Sequence, residues 1–350
     1  MLDSVFSLFT HDLGIDLGTS NTRVLVKGKG IVVREPSMVA RLKKAKEIVA
    51  FGSEAKKMLG KTPANLEVVK PLQNGVIADF DATAAMLGHY IKQVHQTGKM
   101  IPMIPKPKVV ISIPSGVTEV ERKAVQDASF VGGARTAFLV EQPLLAAVGA
   151  DLNIMESSGI LVVDIGGGKI DLAVISLGGI VQEKSLRIAG EKMNEAVTNF
   201  VRLKYSLLIG ELTAEQLKME IGSALLVSKG EEKKAVVRGR GIENGMPMSV
   251  KVEASEVREA LAPIINQIVL AVAELIEVTP PELLTDIDKT GICLTGGGSK
   301  LMGLDRLIFE TTKISCWTPD NPEDCVVKGC GKLLENEKLL KKVKVTGGLK

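Results

Sequence analysis

Leu161-Val162-Val163-Asp164-Ile165-Gly166-Gly167-Gly168-Lys169-Ile170-Asp171 is the stretch on which the reading of this chain turns. An apolar run ends in a carboxylate, three glycines follow, and the run Leu172-Ala173-Val174-Ile175 resumes. The pattern predicts strand, tight turn, strand. Without a Cβ, glycine lets backbone N–H groups close on a ligand. Successive N–H groups in such a turn form a concavity suited to phosphate. Asp164, at the mouth of the turn, is placed to hold a metal ion or its water. A β-hairpin that merely requires glycine explains this one stretch equally well.

The same pattern occurs again, and the two together favour the phosphate reading. Gly14-Ile15-Asp16-Leu17-Gly18-Thr19-Ser20-Asn21-Thr22-Arg23-Val24-Leu25-Val26 aligns Asp16 with Asp164 and Gly18 with Gly166. A strand–Asp–Gly-turn–strand unit repeated about half a chain away predicts two similar domains facing each other. Two such turns would grip one polyphosphate from both sides, with both aspartates beside one cation. A third cluster, Leu294-Thr295-Gly296-Gly297-Gly298-Ser299, again follows an apolar strand and precedes a helical pattern.

Bulk properties are consistent with this. A length of 350 residues predicts roughly two domains, and 45% hydrophobic content supplies ample core. The net charge of +3 gives no argument for a nucleic-acid partner. Cys293, Cys316, Cys325 and Cys330 form no CxxC pair, which predicts reduced, mostly buried thiols in a cytoplasmic protein. His11, His89 and His95 are too scattered for a zinc site or a histidine-based triad. The apolar stretch 264–278 is interrupted by Asn266, Gln267, Glu274 and Glu277, so no membrane span is expected.

Taken in order, Leu2, Val5, Phe6 and Phe9 fall on one face of a short helix. Such a face suits a membrane interface, with packing on the protein body as the alternative. Residues 34–71 read as a small insertion containing a short helix capped by Ser53. A helix over 81–95 precedes a loop whose three prolines exclude helix and which carries Met100, Ile101, Met103 and Ile104 between lysines. Exposed apolar residues are a liability in water and the lysines suit anionic headgroups, so membrane contact is expected, with fold-back as the alternative. Thr118 and Glu121 predict a capping box. The strand over 137–140 then delivers Glu141-Gln142-Pro143 at its carboxyl end, where α/β sheets face their ligand crevice. Glu141 is a candidate to orient or deprotonate an attacking water, and equally a carboxylate at a helix N-terminus. Thr213 and Gln216 predict a second capping box, with Glu215 and Lys218 on one face as an ordinary surface ion pair. Residues 233–252 alternate as a polar hairpin. A long apolar helix spans 255–278 with a kink expected at Pro263, and the lysines of 338–344 predict a frayed tail.

With these features together, the chain resembles the actin-like ATPases, and within them the MreB family of bacterial actin homologues. The carrying segments are GIDLGTSNT (14–22), VERKAVQDA (120–128), FLVEQPLLAAVGA (138–150), VVDIGGGKIDLAVISLGGIV (162–181), TAEQLKMEIGSA (213–224), PPELLTDI (280–287) and LTGGGSKLMGLDRLI (294–308). The resemblance implies an α/β fold of two similar lobes, each a mixed sheet flanked by helices, around a nucleotide cleft. The first lobe would cover 1–150 with its insertion at 34–71, and the second 151–318 with a small subdomain at 190–254. Residues 319–350 would return to the first lobe.

By the same resemblance, Gly18, Thr19, Ser20 and Asn21 form the first phosphate loop and Gly166, Gly167, Gly168 and Lys169 the second. Gly296, Gly297, Gly298 and Ser299 match the adenosine-side loop, and Glu215 and Lys218 the helix beside adenine and ribose. Asp16 and Asp164 match aspartates that hold Mg²⁺ through water, and Glu141 the residue that positions the hydrolytic water. Leu2, Val5, Phe6 and Phe9, and the loop with Met100, Ile101, Met103 and Ile104, match membrane-attaching segments. The implied protein is an ATP-dependent filament (GTP being the alternative) on the inner face of the cytoplasmic membrane, with slow hydrolysis coupled to polymerisation. It would assemble with itself into antiparallel double protofilaments and organise cell-wall elongation proteins, so setting rod shape, with no nucleic-acid partner. The family's two threonines after the second glycine run are replaced by Lys169 and Ile170, and its Glu-Glu-Pro by Glu141-Gln142-Pro143. Two other functions stand beside this: a monomeric small-molecule kinase of the same superfold, and a nucleotide-locked scaffold filament with little turnover.

Overall fold

Both aspartate–glycine stretches form the expected hairpin, and each hairpin is the centre of a sheet of one design. The computed structural model describes residues 10–96, 106–225 and 232–345. Leu2, Val5, Phe6, Phe9, Met100, Ile101, Met103 and Ile104, on which the membrane expectation rests, lie outside the described residues.

In the first sheet, Leu13–Leu17 pairs antiparallel with Asn21–Val26, setting Asp16 opposite Arg23, and Asn21–Val26 pairs antiparallel with Gly30–Pro36. On its other side Leu13–Leu17 pairs in parallel with Lys108–Ile113, which pairs in parallel with Thr136–Glu141. In the second sheet, Ile160–Ile165 pairs antiparallel with Ile170–Ser176, setting Asp164 opposite Asp171, and Gly179–Leu186 follows antiparallel. Ile292–Thr295 and then Cys316–Trp317 add in parallel. Order and sense are the same in both sheets.

The central strands are apolar on both faces and fully buried, as Ile160–Ile165 and Ile170–Ser176 show. That is the pattern of strands covered by helices on both sides. The edge strand Gly179–Leu186 alternates half-buried with exposed residues. Gln142–Gly149 and Cys325–Glu335 lie between the sheets. They share one core in which Val110 and Val140 of the first sheet meet Val162, Ala173 and Cys293 of the second. All four cysteines are free, and Cys293, Cys325 and Cys330 are buried.

Three small sheets join the main ones among the described residues: Val39–Leu42 with Ile48–Phe51 and Leu66–Val69, Leu207–Leu208 with Lys234–Gly241 and Pro247–Glu253, and Leu72–Gln73 with Val76–Ile77. Several local expectations need correction. Ser53 lies inside the helix Gly52–Met58, and its N–H and hydroxyl both donate to Glu35. The helix expected to start at Thr213 begins at Glu211 with Gly210 as cap. No membrane span is expected from the sequence, yet Ala254–Glu277, which contains Pro263, is by length and composition able to cross a membrane. It instead supplies Val257, Leu261, Ile265, Ile268 and Val272 to the core of the second lobe. The lysine-rich tail forms the helix Glu337–Val343, because Leu340 and Val343 are buried and anchor it.

Candidate functional site

Leu13–Leu17 and Ile160–Ile165 each deliver an aspartate to one cavity of about 680 Å³ between the lobes. The two glycine turns meet across it. A Cβ at Gly167 would lie 2.0 Å from Ser20 Oγ, and one at Gly168 would lie 2.7 Å from Thr19 Oγ1. Glycine is therefore required in the second turn by the approach of the first. Thr19 Oγ1 accepts a hydrogen bond from Gly75 N at 2.8 Å. The carbonyls of Gly166 and Gly167 accept from Gly190 N and Glu191 N at 3.3 and 2.7 Å, in the first turn of Gly190–Tyr205. The turn's acceptors are thus committed to that helix. The third turn packs on the end of the strand bearing Asp164: Gly296 has φ +79°, and a Cβ there would sit 2.4 Å from Ile165 O.

Both aspartates are buried, and burial raises the pKa of both. Asp16 is partly relieved by Arg23, 3.5 Å away, and by the Ser112 hydroxyl, which donates to its Oδ1 at 3.0 Å. Asp164 receives a hydrogen bond from Thr295 Oγ1 at 2.8 Å. Its neighbours Asp16 and Asp171 add to the effect of burial, and its pKa is pushed up to about 7. Two buried carboxylates short of positive charge fit a hydrated divalent cation better than they fit each other. Among the described residues no group of three or more His, Cys, Asp or Glu converges.

Gly18, Thr19, Ser20, Asn21, Gly166, Gly167, Gly168, Glu215, Lys218, Gly296, Gly297 and Gly298 all line the cavity. Three expected site residues sit differently. Ser299 is buried beneath its turn, its hydroxyl donating to Gly296 O at 2.8 Å. Glu141 is half-buried behind Gln142, which does reach the cavity wall. It stands at the N-cap position of the helix Gln142–Gly149, as the alternative had it, but makes no side-chain hydrogen bond to that helix. Burial raises its pKa, and Glu183 adds to this. Lys169 lines the cavity, but its ammonium is bound to Ser115 O and Asp171 rather than directed at the phosphate turns.

Glu215 and Lys218 do not pair with each other. Lys218 Nζ donates to Gly190 O at 3.0 Å, and burial lowers its pKa. Glu215 meets Lys56 across the cleft at 2.7 Å, and beside it Lys70 joins Glu191 at 2.9 Å and Glu211 at 2.5 Å.

The sequence reading missed Arg23, Asp324, Ser112, Thr295 and Lys56. Arg23 could have been found, since a hairpin register through the first turn sets it opposite Asp16. Asp324 could not: it lies far along the chain and gathers Arg23 Nε at 3.2 Å, an ion contact rather than an aligned hydrogen bond, and Arg34 Nη2 at 2.9 Å.

Two sheets of one design joined by central helices, with a glycine turn from each and a third closing one end, define the actin-like ATPase fold. Comparison with known proteins narrows this. The family profile described as MreB/Mbl protein matches residues 10–342. The chain is 46% identical over 340 residues to the cell shape-determining protein MreB of Escherichia coli K12, covering 96% of each chain. It is 43% identical to the cell shape-determining protein Mbl of Bacillus subtilis 168, over 97% of this chain and 100% of that one. The crystal structure of MreB 5 of Spiroplasma citri bound to AMPPNP superposes with a TM-score of 0.87 at 35% identity, covering 94% of this chain and 97% of that one. The MamK double helical filament matches with a TM-score of 0.77 at 22% identity, covering 93% and 99%, which speaks for the fold alone. The chain belongs to the MreB/Mbl family.

Proposed function

We propose that this protein is a nucleotide-dependent cytoskeletal filament protein that sets cell shape. The carrying observation is that two glycine turns, one per sheet, touch across a cavity into which each sheet also sends a buried aspartate. Relatives named for shape determination, and MreB 5 bound to AMPPNP and to ADP, support the reading. In it, N–H groups of residues 18–21 and 166–168 receive the phosphates. Glu215 and Lys218 flank the sugar and base, with residues 296–299 on the adenosine side. ATP is the proposed nucleotide, with GTP as the alternative. Asp16 and Asp164 hold Mg²⁺ through water, and that ion neutralises phosphate charge when bound. Glu141 orients the attacking water and accepts its proton. Burial raises its pKa, which makes its carboxylate a stronger proton acceptor.

The division at about residue 150, with small subdomains at 34–71 and 190–254 and a return of 319–350 to the first lobe, belongs to the same proposal. So does self-association into double protofilaments, and attachment to the inner face of the cytoplasmic membrane beside cell-wall elongation proteins. One observation supports the membrane part. His11 and His95 stack with ring centroids 5.8 Å apart, and His11 N donates to His95 Nε2 at 3.0 Å. The described chain therefore approaches both apolar segments, 1–9 and 97–105, from one corner of the first lobe. At that corner Lys29 Nζ bonds His11 Nε2 at 3.0 Å, and the backbone N of Lys108 donates to Asp12 Oδ1 at 3.3 Å.

The test is negative-stain electron microscopy on a lipid monolayer with ATP and Mg²⁺, beside a nucleotide-free control. Paired filaments on lipid with nucleotide are expected. Dispersed particles in both would favour the monomeric kinase. Glu141→Gln should keep ATP binding and slow phosphate release by roughly 100-fold, as for loss of a general base. An unaltered rate would remove Glu141 from the mechanism, and negligible release from the unmodified protein would favour the nucleotide-locked scaffold.

A further inference from the structure

Lys169 stands in a phosphate turn, yet its side chain runs to the floor of the cleft. Its stem passes Gly75, where a Cβ would lie 3.2 Å from Lys169 Cδ. Its ammonium donates to Ser115 O at 2.9 Å and meets Asp171 Oδ1 at 3.0 Å. The same Asp171 oxygen accepts from Ser115 Oγ at 3.0 Å and from Ser185 Oγ. Ser115 follows the strand Lys108–Ile113 of the first sheet, whereas Asp171 and Ser185 are register partners in the second. One ammonium therefore joins the lobes inside a nest of oxygens.

The charges there are nearly sealed from water, with side-chain exposures of 12% for Lys169 and 2% for Asp171. A carboxylate so buried persists only with a counter-charge. Among the described residues Lys169 is the one cation in ion-pair contact with it. The ammonium itself touches one carbonyl oxygen and one carboxylate oxygen, and two hydroxyls donate to that carboxylate. Carbonyl and carboxylate oxygens also take a dehydrated monovalent cation. An ammonium on a flexible stem, with three donors, can fill such a shell permanently.

We propose that Lys169 is a tethered cation. It fills a monovalent-cation site built on Ser115 O and Asp171 Oδ1, with the Ser115 and Ser185 hydroxyls holding that carboxylate in place, and so clasps the two lobes together. The clasp holds whatever occupies the cleft above it. It is tested on nucleotide-free protein, so its failure and that of the nucleotide reading are separate results.

Lys169→Ala and the unmodified protein are melted at constant ionic strength in potassium, ammonium or N-methylglucamine chloride. The variant should lose roughly 5 °C in N-methylglucamine, the scale of breaking a buried pair. It should recover at least half of that in potassium or ammonium, while the unmodified protein melts alike in all three. Adding Asp171→Asn should abolish the recovery. A loss that is the same in every salt, or no loss at all, would overturn the proposal. Should Lys169→Ala not fold, Lys169→Met/Asp171→Asn carries no buried charge and serves instead. Hydrogen exchange at residues 114–117 and 170–172 should then rise at least tenfold, and unchanged exchange would overturn the clasp.

Discussion

The hairpin partner of Asp16 is Arg23, and the hairpin partner of Asp164 is Asp171. Backbone register, strand order and burial are alike in the two sheets, but the charge opposite the site aspartate has changed sign. In the first sheet the guanidinium relieves Asp16 directly. In the second, Asp171 adds to the strain on Asp164, and the nearby cation Lys169 is spent on Asp171 itself. A repeated backbone thus yields two different carboxylates. One has a built-in cationic partner that works against its burial, and the other lacks one and takes up a full charge most readily when a cation arrives from outside.

The strongest way to break the comparison is to remove what favours the first site. Arg23→Met leaves Asp16 and Asp324 facing each other in a buried pocket, with side-chain exposures of 8% and 6%. Breaking a buried ion pair on one side costs about 3–5 kcal/mol, so melting of the nucleotide-free protein should fall by roughly 5 °C. Adding Asp324→Asn should recover part of that loss. A fall of under 2 °C in a thermal melt would show that Arg23 does not balance the pair.

The turns differ as the aspartates do. Thr19 and Ser20 fill the space that Gly167 and Gly168 leave open. Gly167→Val should therefore force the turns apart and weaken ATP binding by roughly 100-fold, since overpacking costs on the order of 1–3 kcal/mol. Ser20→Ala, which only removes an atom from the same contact, should weaken it by less than about tenfold. Titration calorimetry reads both, and equal losses would mean that shape is not what the glycines protect.

How much of this was legible in sequence follows from the same contrast. The sheets were legible, because apolar runs closed by Asp-Gly turns specify strand and hairpin locally, and the repeat doubled the signal. The glycines and aspartates of the cavity were legible for the same reason. Side chains whose role depends on a distant partner were not. Lys169 carries no local mark of being bound to Ser115, 54 positions away, so its place in a phosphate turn suggested a phosphate ligand. Glu215 and Lys218 lie at helical spacing, but Lys56 and Gly190 O outcompete that local pairing. Thr213 and Gln216 matched a capping box, but the chain had already turned helical at Glu211.

The finest test of the asymmetry is its pH dependence. An unfolded chain releases the Asp164 proton near pH 3.8, while the folded chain holds it to about 7. Between these values the folded state binds the extra proton, so stability in the absence of nucleotide falls as pH rises, and it levels off above 7. An asparagine resembles the protonated acid at every pH and can still accept from Thr295 Oγ1. Asp164→Asn should therefore melt close to the unmodified protein near pH 5 and exceed it by a few °C at pH 8. Asp16→Asn should show a smaller gain or a loss at pH 8, because it deprives Arg23 of a partner that Asp164 never had. Differential scanning calorimetry at both pH values measures the four differences. Equal gains for the two variants would mean that Arg23 and Asp171 do not set the aspartates apart, and a gain for Asp164→Asn that shrinks as pH rises would reverse the sign assigned to its burial.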